Sequence, residues 1–532
     1  MTIYLDHAAT TPLDPRVAAA MVECLLDPQA QGNPASATHG PGLAARERVE
    51  AARAAVAQLI GAAPAEIIFT SGATESNNLA LLGVARAARR ASAVAGAAAR
   101  THVVSARTEH RSVLDTCAQL EKDGFTVTLV EPDESGRVPP EAIATALRPD
   151  TLLVSLMLVN NEIGVINDVA AVAALAAARG ALIHSDASQA LGKLPVDVRD
   201  LGVDFLSFTA HKIYGPKGIG ALYVREAARP HIAPVQFGGG HERGLRSGTL
   251  ATHQAVGFGL AAALARGGLE RDAAHARDLA ARLERELEDI AGVRFNSRRG
   301  DGVPGLVNVS FEGVEGESLI TGLPEIAAST GSACSSASRE ASYVLRALGR
   351  STELAQSSLR LSLGRFSSAA DVDLAATAIR AEVTRLRAIA GTADGPAESR
   401  LDPDSSLASG NTLLGRSLNA AARRSFLAAP RPPRLPGGKF AGRQEDGTAV
   451  RFELHIDAGT VKSARFSAYG CPHTLAVAAW LCEMLEGQEI ERFAPGSPAD
   501  WAEKFAVPTE KLGRLLVVED ALRAAVTPAR QV

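Results

Sequence analysis

Residues 66–78 read EIIFTSGATESNN. The run 66–70 has the composition of a buried strand. Ser71-Gly72-Ala73-Thr74 then turns the chain, and a helix begins. Open backbone N–H groups at a helix N-terminus bind phosphate well. A strand–turn–helix junction is often only a turn, so its surroundings decide how it is read.

Working outward, apolar runs of strand length recur at 101–105, 126–130, 152–156, 181–185, 205–208 and 220–224. Ala-rich amphipathic stretches such as 168–178 lie between several of them. This alternation predicts an α/β fold with a mostly parallel sheet. Ligands of such sheets gather beyond the carboxyl ends of the strands. A large domain is placed at 16–264. After it come a long charged helix at 272–289, a strand at 306–311, a Gly/Ser-rich loop at 329–338 and a terminal helix. Residues 1–15 and 265–390 are expected to form a smaller α+β domain. GTADGPAESRLDPDSSLASGN (391–411) reads as a flexible linker. Residues 412–532 read as a separate module. It holds a helix at 412–424, a Pro/Arg loop at 429–438, two strands at 449–456 and 460–468, and a helix starting after Pro472.

Hydrophobic residues make up 46% of the 532, enough for a large core, and the net charge is −4 with both signs dispersed. No basic stripe points to nucleic acid, and no apolar run spans a bilayer. MTIYLDHAATTPLDP (1–15) lacks the regions of a secretory signal. The five cysteines are odd in number and widely spaced, so a reduced, cytoplasmic protein is expected. Cys24, Cys117 and Cys482 lie in apolar helical contexts that suit packing. Cys334 differs. It sits in STGSACSSAS (329–338), a run of small polar residues that leaves a thiol accessible, and reactive cysteines favour such partly exposed sites.

ALIHSDASQA (181–190) sets Asp186 just past a buried strand, where a solitary carboxylate is costly. Asp186 is either a helix N-cap or the partner of a pyridinium nitrogen, with Gln189 three residues on, in reach of a ring hydroxyl. SFTAHKIYGPKG (207–218) delivers Thr209, His211 and Lys212 at a strand end, before a Gly/Pro loop. Lys212 is either a surface lysine or a Schiff-base lysine. Spacing alone does not separate these readings. Together the three pieces supply, in chain order, a phosphate cup, a pyridine partner and a lysine, the parts of a pyridoxal-phosphate (PLP) site.

The motif set resembles the NifS-like cysteine desulfurases of the class V aminotransferase fold. It comprises YLDHAATTP (4–12), GNPAS (32–36), FTSGATESNN (69–78), TEHRSVLDT (108–116), VNNEIG (159–164), SDASQALGK (185–193), FTAHKIYGPKG (208–218), GGGHERGLRSGT (238–249), GSACSSAS (331–338) and SSLRLSLGRF (357–366). The resemblance covers about 390 residues. It implies a PLP-dependent transferase of fold type I. Lys212 would hold PLP, Asp186 would pair with the ring nitrogen, and Gln189 would lie near the ring oxygen. Ala73, Thr74, Thr209 and His211 would form the phosphate cup, with Thr249 arriving from the second subunit of a homodimer. His110 would stack on the ring and move protons, and Asn161 would contact the cofactor edge. Asn33 and Arg360 would hold the carboxylate of L-cysteine. Cys334 would take the sulfur as a persulfide, releasing alanine and passing sulfur to acceptor proteins of iron–sulfur assembly or tRNA thiolation. No metal site is implied in this unit. A selenocysteine lyase or other PLP lyase of the same fold, or a sulfur-relay and scaffold binding protein, are the alternatives.

The tail resembles U-type iron–sulfur scaffold proteins, through VRFELHIDAGTVKSARFSAYGCPHTLAVAAW (450–480) and KLGRLLVVEDALRAAV (511–526). Such scaffolds use three cysteines. Only Cys471 stands in place here, while Gly442 and Arg514 fall at the other two positions. Cys482 is a poor substitute: eleven helical positions separate it from Cys471 by roughly 16 Å along the axis. The tail is therefore expected to be degenerate, with Cys471 a candidate persulfide acceptor reached through the linker.

Overall fold

The computed structural model describes residues 2–95, 100–297, 299–330, 341–391, 418–429, 439–445 and 447–526. Cys334 and residues 392–411 lie outside them. The large domain is built on seven strands: β1 (Ile67–Thr70), β2 (His102–Ala106), β3 (Thr126–Val130), β4 (Thr151–Ser155), β5 (Leu182–Asp186), β6 (Phe205–Thr209) and β7 (Gly220–Val224). Their order across the sheet is β1-β7-β6-β5-β4-β2-β3. Only β7 runs antiparallel to its neighbours. Helices cover both faces, so the central strands are buried along their whole length. This is why they read as continuous apolar runs rather than alternating ones. Gly220 permits one close approach: a Cβ there would stand 2.7 Å from the Gly72 Cα, so the 71–74 turn folds tightly over β7. Among the described residues, no helix is long and apolar enough to cross a membrane.

The smaller unit carries an antiparallel sheet ordered Ser329–Thr330, Ser358–Ser362, Leu306–Phe311, Val293–Phe295. The chain start joins it, with Ile3–Tyr4 pairing parallel to Ile326–Ala327. The boundary drawn at 264/265 falls inside one helix, Thr252–Glu288. Gly267 and Gly268 lie inside it. Each glycine costs a helix about 1 kcal/mol, and packing outweighs that cost. Phe258, Ala261 and Ala262 sit in the large-domain core, and Leu279, Leu283 and Leu287 in the small-domain core. The helix is thus a rigid strut between the two.

The tail has its own three-stranded antiparallel sheet, Lys439–Glu445, Thr448–Asp457 and Thr460–Tyr469. The first of these strands was not foreseen, because its glycine and charges hide any apolar alternation. The helix expected at 412–424 is described as Ala420–Ala428. The helix Pro472–Leu485 begins at the predicted proline, with Cys471 as its N-cap. The tail is a distinct unit in topology but not in packing. Phe426, Phe452, Phe466 and Leu475 share one apolar core with Leu386 and Ile389 of the small domain. Ser318 Oγ donates to Gly470 O at 2.8 Å, Arg385 donates to Phe426 O at 3.1 Å, and Lys511 pairs with Glu317.

The segment 238–249 is clamped at two points. Arg53 makes a bidentate pair with Glu242 at 2.7 and 2.8 Å, and Glu242 also accepts from Phe69 N at 2.7 Å. Arg246 Nε donates to Glu75 at 2.8 Å. Glu242 and Arg243 are held at φ of 49° and 57°, a left-handed conformation that costs roughly 1–2 kcal/mol per residue. The buried ion pair offsets that strain. Glu242→Ala should therefore cost about 3–5 kcal/mol, because it leaves the buried Arg53 guanidinium with only the exposed Glu50 to pair with. A drop in the urea midpoint at unchanged slope measures it.

Candidate active site

Five strand ends converge on one cavity of about 550 Å3. After β1 comes the Ser71–Thr74 turn at the N-terminus of the helix Ala73–Ala95. After β2 comes His110, the N-cap of the helix Arg111–Lys122. The loop after β4 brings Asn161, β5 ends on Asp186, and β6 delivers Thr209, then His211 and Lys212 in a single 3-10 turn. The small domain closes the far wall with Ser329 and Arg360. Of the residues expected from sequence, Ala73, Thr74, His110, Asn161, Asp186, Thr209, His211, Lys212 and Arg360 all line this cavity.

Asp186 is buried and ionised. Burial alone would raise its pKa. The charges of His110 and Lys212, and hydrogen bonds from Ser188 and Asn77, outweigh burial and hold the carboxyl below its ordinary range. Ser188 N donates to it at 2.9 Å and Asn77 Nδ2 at 2.8 Å. His110 Nδ1 accepts from Ser112 N at 3.1 Å, so the neutral ring carries its proton on Nε2. Burial lowers the His110 pKa, against the opposing charge of Asp186. Burial, then the charges of Lys212 and Lys217, push His211 down to about 4. Its Nδ1 lies 3.1 Å from Thr10 Oγ1.

Arg360 donates to Asp6 at 3.0 Å and to Asn161 O at 2.9 Å. Its Nε, Asn161 Oδ1 and Ser188 Oγ are buried without partners in the chain. Buried polar atoms are rarely left so, and all three belong to cavity-lining residues. A phosphorylated pyridinium fits this donor set. It would meet the N-terminus of the helix Ala73–Ala95, a buried anion at Asp186 and a lysine at Lys212, in a volume typical of cofactor pockets.

Three expected residues stand apart. Gln189 is buried beneath the cavity wall, donating to Ala8 O at 2.7 Å. Asn33 is exposed and spends its Oδ1 on Ala35 N at 2.9 Å. Thr249 is exposed at the end of the clamped 238–249 segment. Cys334 lies outside the described residues, but Ser329–Thr330 leads the chain from the cavity wall toward it. Two contributors were missed. Asn77 lies four residues beyond Ala73, one helical turn on, and so faces the same way as the cup. Asp6 sits in the quoted YLDHAATTP, and its pairing with Arg360 spans 354 residues, beyond any local signal.

The comparisons agree with this geometry. The Aminotransferase class-V model matches residues 3–374. Cysteine desulfurase IscS of Enterobacter sp. (strain 638) is 50% identical over 387 residues, 73% of this chain and 94% of its own length. Its counterpart from Pseudomonas syringae pv. tomato is 51% identical over 389 residues, with the same two coverages. The chain belongs to the cysteine desulfurases. Among solved structures, a NifS-like protein superposes with a TM-score of 0.65 at 35% identity, covering 72% of this chain and 99% of that one. A NifS-like protein from Rickettsia africae ESF-5 gives 0.62 at 28% identity, over 72% and 99%. Residues 436–531 match the NifU-like N terminal domain.

Asn77→Ala should raise the Asp186 pKa by about one to two units. A hydrogen bond to a charged group is worth about 1.5–3 kcal/mol, and one unit is about 1.4 kcal/mol. A carboxyl-carbon NMR titration, assigned by difference from Asp186→Asn, reads it.

Proposed function

We propose that the 550 Å3 cavity is where this PLP-dependent cysteine desulfurase acts, with Lys212 holding the cofactor and Asp186 its ring nitrogen. The observation that carries the assignment is Asp186 itself, a buried, ionised carboxylate facing the same cavity as Lys212 and Arg360. Ala73, Thr74, Thr209 and His211 surround the phosphate. Bound there, PLP supplies an electron sink for charge at the substrate Cα.

The chain's own groups do the rest. Arg360, already fixed by Asp6 and Asn161 O, turns its unpartnered Nε to the carboxylate of L-cysteine. The Lys212 amine takes the Cα proton and returns it. His110, neutral with Nε2–H, carries the proton traffic on the opposite side. The Cys334 thiolate attacks the substrate sulfur. As the S–S bond forms, the Cβ–S bond breaks with its electrons going to carbon, and a proton there completes alanine. The sulfane sulfur remains on Cys334 as a persulfide for an acceptor in iron–sulfur assembly. The clamped 238–249 segment presents Thr249 outward at fixed height, which suits delivery into a partner's phosphate cup in a homodimer.

We read the tail as a docked module rather than a cluster carrier. Arg514, at the third scaffold position, stands beside Cys471, whose thiol lies 3.4 Å from Thr474 Oγ1. Gly442 offers no ligand at the first. Cys471 has no exposed surface, which removes it as an acceptor while the tail stays docked. Across the interface Glu315 is pushed up to about 7, by burial first and then by Cys471 and Glu317.

Two outcomes test this reading. Cys334→Ser should keep the cofactor absorbance and bind cysteine, yet form no cyanolysable persulfide; wild-type persulfide levels in that variant would move the role elsewhere. Anaerobic reconstitution of the full chain with iron, sulfide and reductant should leave the tail without a stable cluster. Near-stoichiometric iron would refute the docked-module reading.

A further inference from the structure

A second, much smaller cavity also reaches Lys212. Its volume is about 20 Å3, room for one water molecule. Lys193 and His7 line it, with Tyr214, Asp272 and Arg365. His7 Nδ1 lies 2.9 Å from Ser362 O. A carbonyl only accepts, so Nδ1 carries the proton and Nε2 of the neutral ring is a bare acceptor. That Nε2 is buried and has no partner in the chain. Burial first, then the charge of Lys193, push His7 down to about 4 against the Ser362 hydrogen bond, so the ring stays neutral.

Lys193 Nζ donates to Gln189 Oε1 at 2.7 Å, and Gln189 in turn is tied to Ala8 O. An ammonium has three N–H bonds to place. Burial, followed by the charges of Lys212 and Arg360, pushes Lys193 down to about 7. Asp186 faces Lys212 from the larger cavity, and the carboxylate lining the smaller one is already engaged: Asp272 accepts from Arg365 at 2.8 Å and from Arg271 at 2.9 Å. The Tyr214 hydroxyl accepts from Arg365 N at 2.6 Å.

We propose that Lys193 is a positioning residue for Lys212: held by Gln189 and, through one water in this cavity, by His7, its amine opposes a positive charge on Lys212 from a second side. This rests on Lys212 being the cofactor lysine. Two amines in one poorly solvated space titrate as a pair, and a proton on either disfavours a proton on the other. Lys212 must be free of its proton to act, and Lys193 makes that state easier to reach.

The test titrates the absorbance of full-length holoenzyme with pH. In Lys193→Met the lysine-linked chromophore should take up its proton at higher pH, by about half a unit or more. In Lys193→Arg, whose charge is permanent, uptake should move to lower pH. Shifts in the same direction, or none, overturn the proposal, because a space-filling lysine predicts no opposition between the two variants. A high-resolution crystal structure should show a solvent peak within hydrogen-bond distance of both His7 Nε2 and Lys193 Nζ; an empty cavity refutes the bridge. A chromophore that survives Lys212→Ala would instead sink the assignment of Lys212, and the proposal with it, so the two failures are distinguishable.

Discussion

Burying an ionised carboxylate is costly unless it is paired and hydrogen-bonded, and the architecture around Asp186 meets that demand. The carboxylate ends a strand with no exposed face, so its compensation comes from other elements. Asn77 arrives from the helix after β1, Ser188 from the turn beyond β5, and the positive charge of Lys212 from the end of the neighbouring β6. Each contribution depends on the order of strands in the sheet. The same convergence puts the Ser71–Thr74 turn, Lys212 and Asp186 around one space.

The small domain is attached by charge as well as by apolar packing. Arg360 reaches across to the Asn161 carbonyl, while its pair with Asp6 and the bonds of Arg365 to Asp14 and Asp272, 2.8 Å each, tie the chain start into the small domain. These contacts fix the position of Ser329–Thr330, and with it the point at which the chain leaves toward Cys334. Tyr343 Oη donates to Glu109 O at 2.6 Å, next to His110.

The tail matches the NifU-like N terminal domain over residues 436–531. Where further ligands would stand it has Gly442 and Arg514, and its cysteine faces an acid of the small domain instead of solvent. The shared apolar core makes it part of the folded enzyme rather than a tethered passenger.

The sequence by itself determined the α/β class, the strand positions, the candidacy of Lys212, Asp186, His110 and the 71–74 turn, which line one cavity, and the expected mismatch of Gly442 and Arg514 with a three-cysteine scaffold. These are local matters: periodicity, turn chemistry and motif spacing show them, and resemblance sharpens them. Only the tertiary structure decided that Asn77 supports Asp186, that Asp6 holds Arg360, that His7 and Lys193 meet beside Lys212, and that the tail docks with Cys471 sealed. It also merged the expected domain boundary into a single helix, because two glycines cost that helix less than the packing of its two halves returns. Each of these contacts joins residues far apart in the chain, and geometry of that kind exists only once strand order and helix packing are set.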